Sequence, residues 1–188
     1  ANHCHIMKIT EGPYKGEVVE EPEYEGFAAW GPAIGNTDVA AAIVLANDVD
    51  RLGMEVNEAG WVLAFIMECY EKGILTREDT DGLEMTWGNV EAARAMLRRI
   101  ASRQGFGDLM AEGVRRAAQR LGPEAAELGI YTQKGNSPRG HDHRVVWFEL
   151  FDTSVSNTGT IESTQIMPLR AVGLSRLSDP FSPEEVAE

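Results

Sequence analysis

Glycine cuts this chain into helix-sized lengths. The stretch Asn36 to Gly53, NTDVAAAIVLANDVDRLG, is long enough for about four helical turns and stops on a glycine. Asn36 or Thr37 can cap its start, and Asp38 suits the positive end of the helix dipole. Val39, Ala42, Ile43, Ala46, Val49 and Leu52 recur at three- and four-residue steps, which makes one face apolar. Gly53 ends the helix because the residue after a C-cap usually needs positive φ. The pattern repeats. Asn57 is expected to cap a second helix to Lys72, stopped by Gly73, with Trp61, Phe65 and Cys69 inward beside Val62, Ile66 and Tyr70. Asn89 caps a third to about Gln104, ending at Gly105, with Ala93, Met96, Leu97 and Ile100 inward. A fourth runs from about Gly107 to Leu121 on Leu109, Met110, Val114, Ala117 and Leu121, and Gly122-Pro123 stops it. Four amphipathic helices joined by short turns predict a mainly α fold, an antiparallel helical array. Cys69, on an apolar face, is expected to be a buried, inert thiol.

The flanks differ. Residues 1–35 are dense in Gly and Pro and read as loop with short extended pieces; 36–128 hold the four-helix core; 129–188 change character again. There Ser137-Pro138-Arg139-Gly140 reads as a turn before His141-Asp142-His143-Arg144, and Val145 to Phe151 could be helix or strand. The end of the chain, with its Asp-Pro and Ser-Pro breaks, reads as linker.

Charge narrows the partners. Lys and Arg number 17 against 30 acids, for a net −13. That opposes nucleic-acid backbones and anionic membrane surfaces, both of which need clustered cations. The two cysteines, Cys4 and Cys69, make no disulfide framework, and no apolar run reaches a membrane span. A cytoplasmic location and no membrane are expected. The first residue is Ala, beside a Cys- and His-rich string, which suggests a piece of something longer.

Several residues carry candidate chemistry. The first helix delivers Asp50-Arg51-Leu52-Gly53-Met54-Glu55, two carboxylates flanking a turn whose backbone amides could hold a heteroatom-rich ligand. An acidic run of Glu17, Glu20, Glu21, Glu23 and Glu25 is either a solvated loop or brings Glu23 or Glu25 to a pocket beside Tyr24. His141 and His143 could ligate metal or move protons. His3, Cys4 and His5 could bind metal, although neighbours in sequence rarely converge on one ion.

The order GPYKG, EPEYE, an Ala-rich helix into DRLGME, AFIMECYEKGIL, WGN, RQGFGDLMAEGVRRAAQRLG and SPRG resembles the C-terminal region of the tungsten-pterin aldehyde ferredoxin oxidoreductase family, over residues 4 to about 144. The phrases FGDLMAEGVRRAA and MECYEKG at this separation are specific. The resemblance implies a tungsten bis-pterin (molybdopterin) cofactor held partly by DxxGL(D/C) motifs. Asp50, Gly53, Met54 and Glu55 are then cofactor-binding, with Met and Glu at the places of Leu and Asp. Asp79-Thr80-Asp81-Gly82-Leu83 fits the string better but stands in the wrong place, and reads as a turn.

It also implies a 4Fe-4S cluster on CxxCxxxC and a late Cys, with Cys4 as the third ligand. A register with Cys4 as the second is the alternative. One thiolate cannot hold a cluster, so residues 1–35 would follow a cluster-binding motif begun elsewhere. Residues 129–188 would line the active site and lead to a missing C-terminal part. The fragment alone should be folded, inactive and without bound cofactor. Glu25, at the end of EPEYE, takes the place of the family's proton-moving carboxylate. The family's later histidine is absent from SVSNTGTIES, and His141 and His143 are candidates to replace it. HDHR before WFELFDT points to the branch of class II benzoyl-CoA reductases as much as to the aldehyde branch. The implied partners are ferredoxin or an iron–sulfur subunit, an aldehyde or aromatic acyl-CoA substrate, and a second copy in a homodimer. The competing expectation is a non-catalytic helical interaction module, or a zinc protein using His3, Cys4, His5, His141 and His143.

Overall fold

The computed structural model describes residues 5–140, and the chain divides into two compact units, 1–140 and 141–188. The described part is a helical array with one two-stranded sheet. Its centre is α3, Val56–Glu71. Ala59, Val62, Leu63, Phe65, Ile66, Met67 and Cys69 are all buried, so apolar residues occupy more than one face. Each large side chain withdrawn from water contributes roughly 1.5–3 kcal/mol, which outweighs any propensity difference along the helix. Around α3 pack α1 (Tyr24–Trp30), a 3-10 turn (Pro32–Ile34), α2 (Val39–Leu52), α4 (Val90–Ser102), α6 (Val114–Leu121) and α7 (Pro123–Leu128). The approach of α1 is the tightest. A Cβ on Gly60 would lie 2.6 Å from the Cβ of Ala29.

Helix α2 is shorter and more deeply embedded than its apolar stripe predicts. It starts at Val39, and Asp38 is the N-cap, accepting from the N–H groups of Ala40 and Ala41. Asn36, an expected cap, is instead buried, donating to the carbonyls of Trp30 and Asp38 and accepting from the Asp38 N–H. One side of α2 (Ala42, Leu45, Ala46, Val49) joins the main core. Ala41 and Val44 bury a second cluster with Tyr14 and Val19. Val39, predicted inward, is 65% exposed.

That second cluster lies under the hairpin of β1 (Ile6–Lys8) and β2 (Val18–Glu20), antiparallel with Met7 opposite Val19. Asn47 fastens β2 to α2. Its side-chain Oδ1 accepts from the Glu20 N–H at 2.8 Å, and its Nδ2 donates to the Glu20 carbonyl at 2.9 Å. One side-chain amide thus satisfies both backbone groups of an edge residue. Asp48 on the same helix pairs with Arg94 of α4, whose guanidinium stands 6.0 Å from the centre of the Tyr14 ring.

Residues 77–82 form turns. The Thr76 hydroxyl bonds Asp79 at 2.6 Å and holds that carboxyl below its ordinary range. Asp81 reaches across to accept from the Phe106 N–H at 2.7 Å, the first residue of α5 (Phe106–Met110). The region predicted as one helix from 107 to 121 is two, α5 and α6, with α7 after Gly122. Residues 24–30, read as loop, form α1, which buries Gly26, Ala29 and Trp30 against α2 and α3; seven residues between two prolines show too little periodicity to reveal it in the sequence.

Local geometry sets two expectations. Gly53 has φ +69° with nothing within 4 Å of where a Cβ would stand, so Gly53→Val introduces backbone strain alone; urea unfolding should show a loss of ~1 kcal/mol or more. Burial, with a smaller push from Glu68, raises the Cys69 thiol from 9.0 to about 11. Between these values the unfolded chain has released a proton that the folded chain keeps, so stability falls as pH rises. Unfolding from pH 8 to 11 should show a smaller fall in Cys69→Ala than in the wild type.

Candidate functional site

The string from Asp50 to Glu55 closes one helix and opens the next. The Gly53 N–H bonds the Asp50 carbonyl at 3.0 Å, and the Met54 N–H bonds that of Val49 at 3.1 Å, a Schellman closure. The Glu55 carboxylate accepts from the N–H groups of Asn57 and Glu58 and is the N-cap of α3, in place of the expected Asn57. The expected open row of amides is therefore largely closed on itself. Gly53 N–H, Met54 N–H, Asn57 N–H and Glu58 N–H all have partners within the turn. The Asp50 side chain, in contrast, is on an exposed residue at the helix end.

Asp50 lines a cavity of about 250 Å³ together with Glu20, Glu21, Glu23, Glu25 and Asn47. Two residues singled out by sequence, Glu25 and Asp50, thus meet at one hollow although 25 positions apart. Glu25 sits in the first turn of α1, its side chain 12% exposed. Met54 and Glu55 face elsewhere, lining a separate hollow of about 190 Å³ with Glu58 and Met110. A third cavity, of about 300 Å³, lies between α1 and α3, walled by Tyr24, Glu25, Trp61 and the small residues Ala28, Ala29, Ala33 and Gly60. Glu25 borders both the first cavity and this one.

The Ser137–Gly140 segment closes that side of the array. The Ser137 N–H donates to Glu58 Oε2 at 2.9 Å. Trp61 Nε1 donates to the Pro138 carbonyl at 2.6 Å, and the Tyr24 hydroxyl to the Gly140 carbonyl at 3.3 Å. Arg139 Nη1 meets Glu25 Oε1 at 2.7 Å. Glu58 also accepts from the Val114 N–H at 2.8 Å through Oε1, which stands 2.6 Å from where a Cβ of Gly113 would be. One carboxylate therefore caps α6 and holds the segment, a placement that breaks the predicted long helix at Gly113.

Glu58, Trp61 and Arg139 were not among the residues singled out for chemistry. Trp61 read as core, and no local signal in the sequence distinguishes Glu58 from other helix-surface acids. Cys4, His141 and His143 lie outside the described residues. Of the suggested zinc ligands only His5 is described; it is exposed and pairs with Glu21 at 2.5 Å. Among the described residues no group of three His, Cys, Asp or Glu is arranged to hold a metal, and no helix is long and apolar enough to cross a membrane.

The family model described as aldehyde ferredoxin oxidoreductase, domains 2 and 3, matches residues 2–188. The chain belongs to the aldehyde ferredoxin oxidoreductase family. It is 37% identical over 141 residues to a tungsten-containing aldehyde ferredoxin oxidoreductase of Pyrococcus furiosus, a match covering 71% of this chain and 23% of that protein. It is also 37% identical over 120 residues to an aliphatic sulfonate oxidoreductase, WOR-like subunit, of the same organism, covering 64% of this chain and 19% of the relative. The fold is similar to that of the active-site complex BamBC of benzoyl coenzyme A reductase, solved with 1,5-dienoyl-CoA. There the TM-score is 0.64 at 23% identity, over 77% of this chain and 22% of the other. The chain spans about a fifth of the length of these relatives. A C-terminal-region helical array of this family is what the sequence led us to expect.

Glu58→Ala strips two backbone N–H groups of their acceptor. The expected cost is roughly 1–3 kcal/mol in urea unfolding, with faster amide exchange at Val114 and Ser137; unchanged exchange at both would remove Glu58 from this role.

Proposed function

We propose that this chain forms part of a tungsten-pterin, iron–sulfur oxidoreductase and supplies a wall of its cofactor site. The observation that carries this is the convergence of Glu25 and Asp50 on one cavity within a chain of this family. The donor set suits a pterin. Asp50 is an anionic acceptor, and the edge of a pterin presents N–H donors, the pairing that charge-assisted hydrogen bonds favour. The neighbouring glutamates offer nothing to a phosphate, so the fit is to the nitrogen edge. In this reading Asp50 accepts from the pterin, Gly53 and Met54 shape the turn that presents it, and Glu55 starts the helix that backs it.

When bound, the cofactor supplies two-electron redox chemistry. Glu25 holds or moves a proton at its carboxylate beside the reacting centre, as a general acid–base group does. His141 and His143 are proposed as further proton carriers, and Cys4 as one thiolate ligand of a 4Fe-4S cluster whose other ligands come from elsewhere in the protein. With an aldehyde the released electrons would pass on to ferredoxin, whereas an aromatic acyl-CoA, whose ring is reduced, would draw its electrons from an iron–sulfur subunit. The substrate is an aldehyde or an aromatic acyl-CoA. The names of the relatives support the first, and the fold neighbour keeps the second in view. The setting is cytoplasmic, and a homodimer is compatible with it.

The test is Glu25→Gln in the complete holoenzyme. Turnover should fall by about 10²–10⁴-fold, the usual worth of a general acid–base group, while tungsten content stays at the wild-type level. A wild-type rate would overturn the assignment.

A further inference from the structure

We propose that Arg139 is a positioning residue for Glu25, fixing the direction in which that carboxylate faces the two cavities it borders. The proposal rests on the reading of Glu25 given above.

A glutamate has a long, rotatable side chain, and one that lines two cavities could point into either. Something must choose. Arg139 Nη1 lies 2.7 Å from Glu25 Oε1, with the arginine side chain 30% exposed and the glutamate 12%. Such a partly desolvated, charge-assisted bond holds direction better than an ion pair at the open surface. Arg139 is itself held. Its backbone is fastened at Ser137 by Glu58, at Pro138 by Trp61 and at Gly140 by Tyr24. These fastenings come from α1 and α3, the helices that wall the larger cavity. The guanidinium is thus delivered from a segment 114 positions away in sequence, by bonds that do not involve Glu25.

The experiment uses the complete protein, with and without cofactor, as Arg139→Gln, Arg139→Lys, Glu25→Gln and the Arg139→Gln/Glu25→Gln double variant. In the holoenzyme, Arg139→Gln should lower kcat by about tenfold or more, the scale of a small misplacement, with KM and tungsten content near wild type. Arg139→Lys should recover much of the loss, because a single N–O contact is within reach of an ammonium. In the cofactor-free protein, the double variant should melt no lower than the worse single variant, showing that the two side chains act as a pair. Wild-type kcat in Arg139→Gln while Glu25→Gln is inactive would overturn positioning and leave the role of Glu25 intact. So would additive melting shifts. A wild-type rate in Glu25→Gln would overturn both readings. Should Arg139→Gln not fold, an Arg139→Lys variant with lowered tungsten content and unchanged kcat per tungsten would reduce Arg139 to a structural part and end the proposal.

Discussion

Ala29 rests against Gly60 with no space for a methyl group between them. This contact sets the distance between α1 and α3, and that distance sets the site. Close packing lets Glu25 on one helix and Glu58 and Trp61 on the other reach the same crossing segment at 137–140. It also leaves a hollow floored by small residues and walled by two aromatics. A larger residue at either position would separate the helices, and packed interiors do not absorb such a change smoothly.

A second theme is polar side chains that satisfy distant backbone. Asn47 completes the edge of β2, Asp81 caps α5, Glu58 caps α6, and Trp61 holds the carbonyl of Pro138. Helix starts and strand edges carry N–H groups that must find partners. Here several find them far along the chain, so elements of only a few residues, such as α5 and β2, are held in place by tertiary bonds. Carboxylates do much of this, which gives part of the acidic surplus a structural use.

Five further acids, Glu20, Glu21, Glu23, Glu25 and Asp50, gather at one cavity. The hollow they share is anionic and lies beside the turn that ends α2. The Schellman turn at Gly53 gives the placement rigidity. Its amides are closed within the turn, and Asp50 stands exposed at the helix end beside it.

Much was written into the chain directly. Glycine placement and three- to four-residue periodicity located α2, α3 and α4 to within a few residues, because these helices carry their own stop signals and apolar faces. The turn at 77–82 was legible for the same reason: Thr76, Asp79 and Gly82 act on near neighbours. Periodicity also settled that Cys69 belongs to an apolar helix face. What sequence did not contain was anything that depends on two remote residues coming together. The break at Gly113 follows from Glu58, the burial of both sides of α2 from the hairpin, and the Glu25–Arg139 pair from the docking of 137–140. Local order is decided by each residue's own backbone preference and its neighbours within a turn or two. The pairing of charges and the shape of a cavity are decided only when long-range packing fixes which surfaces meet.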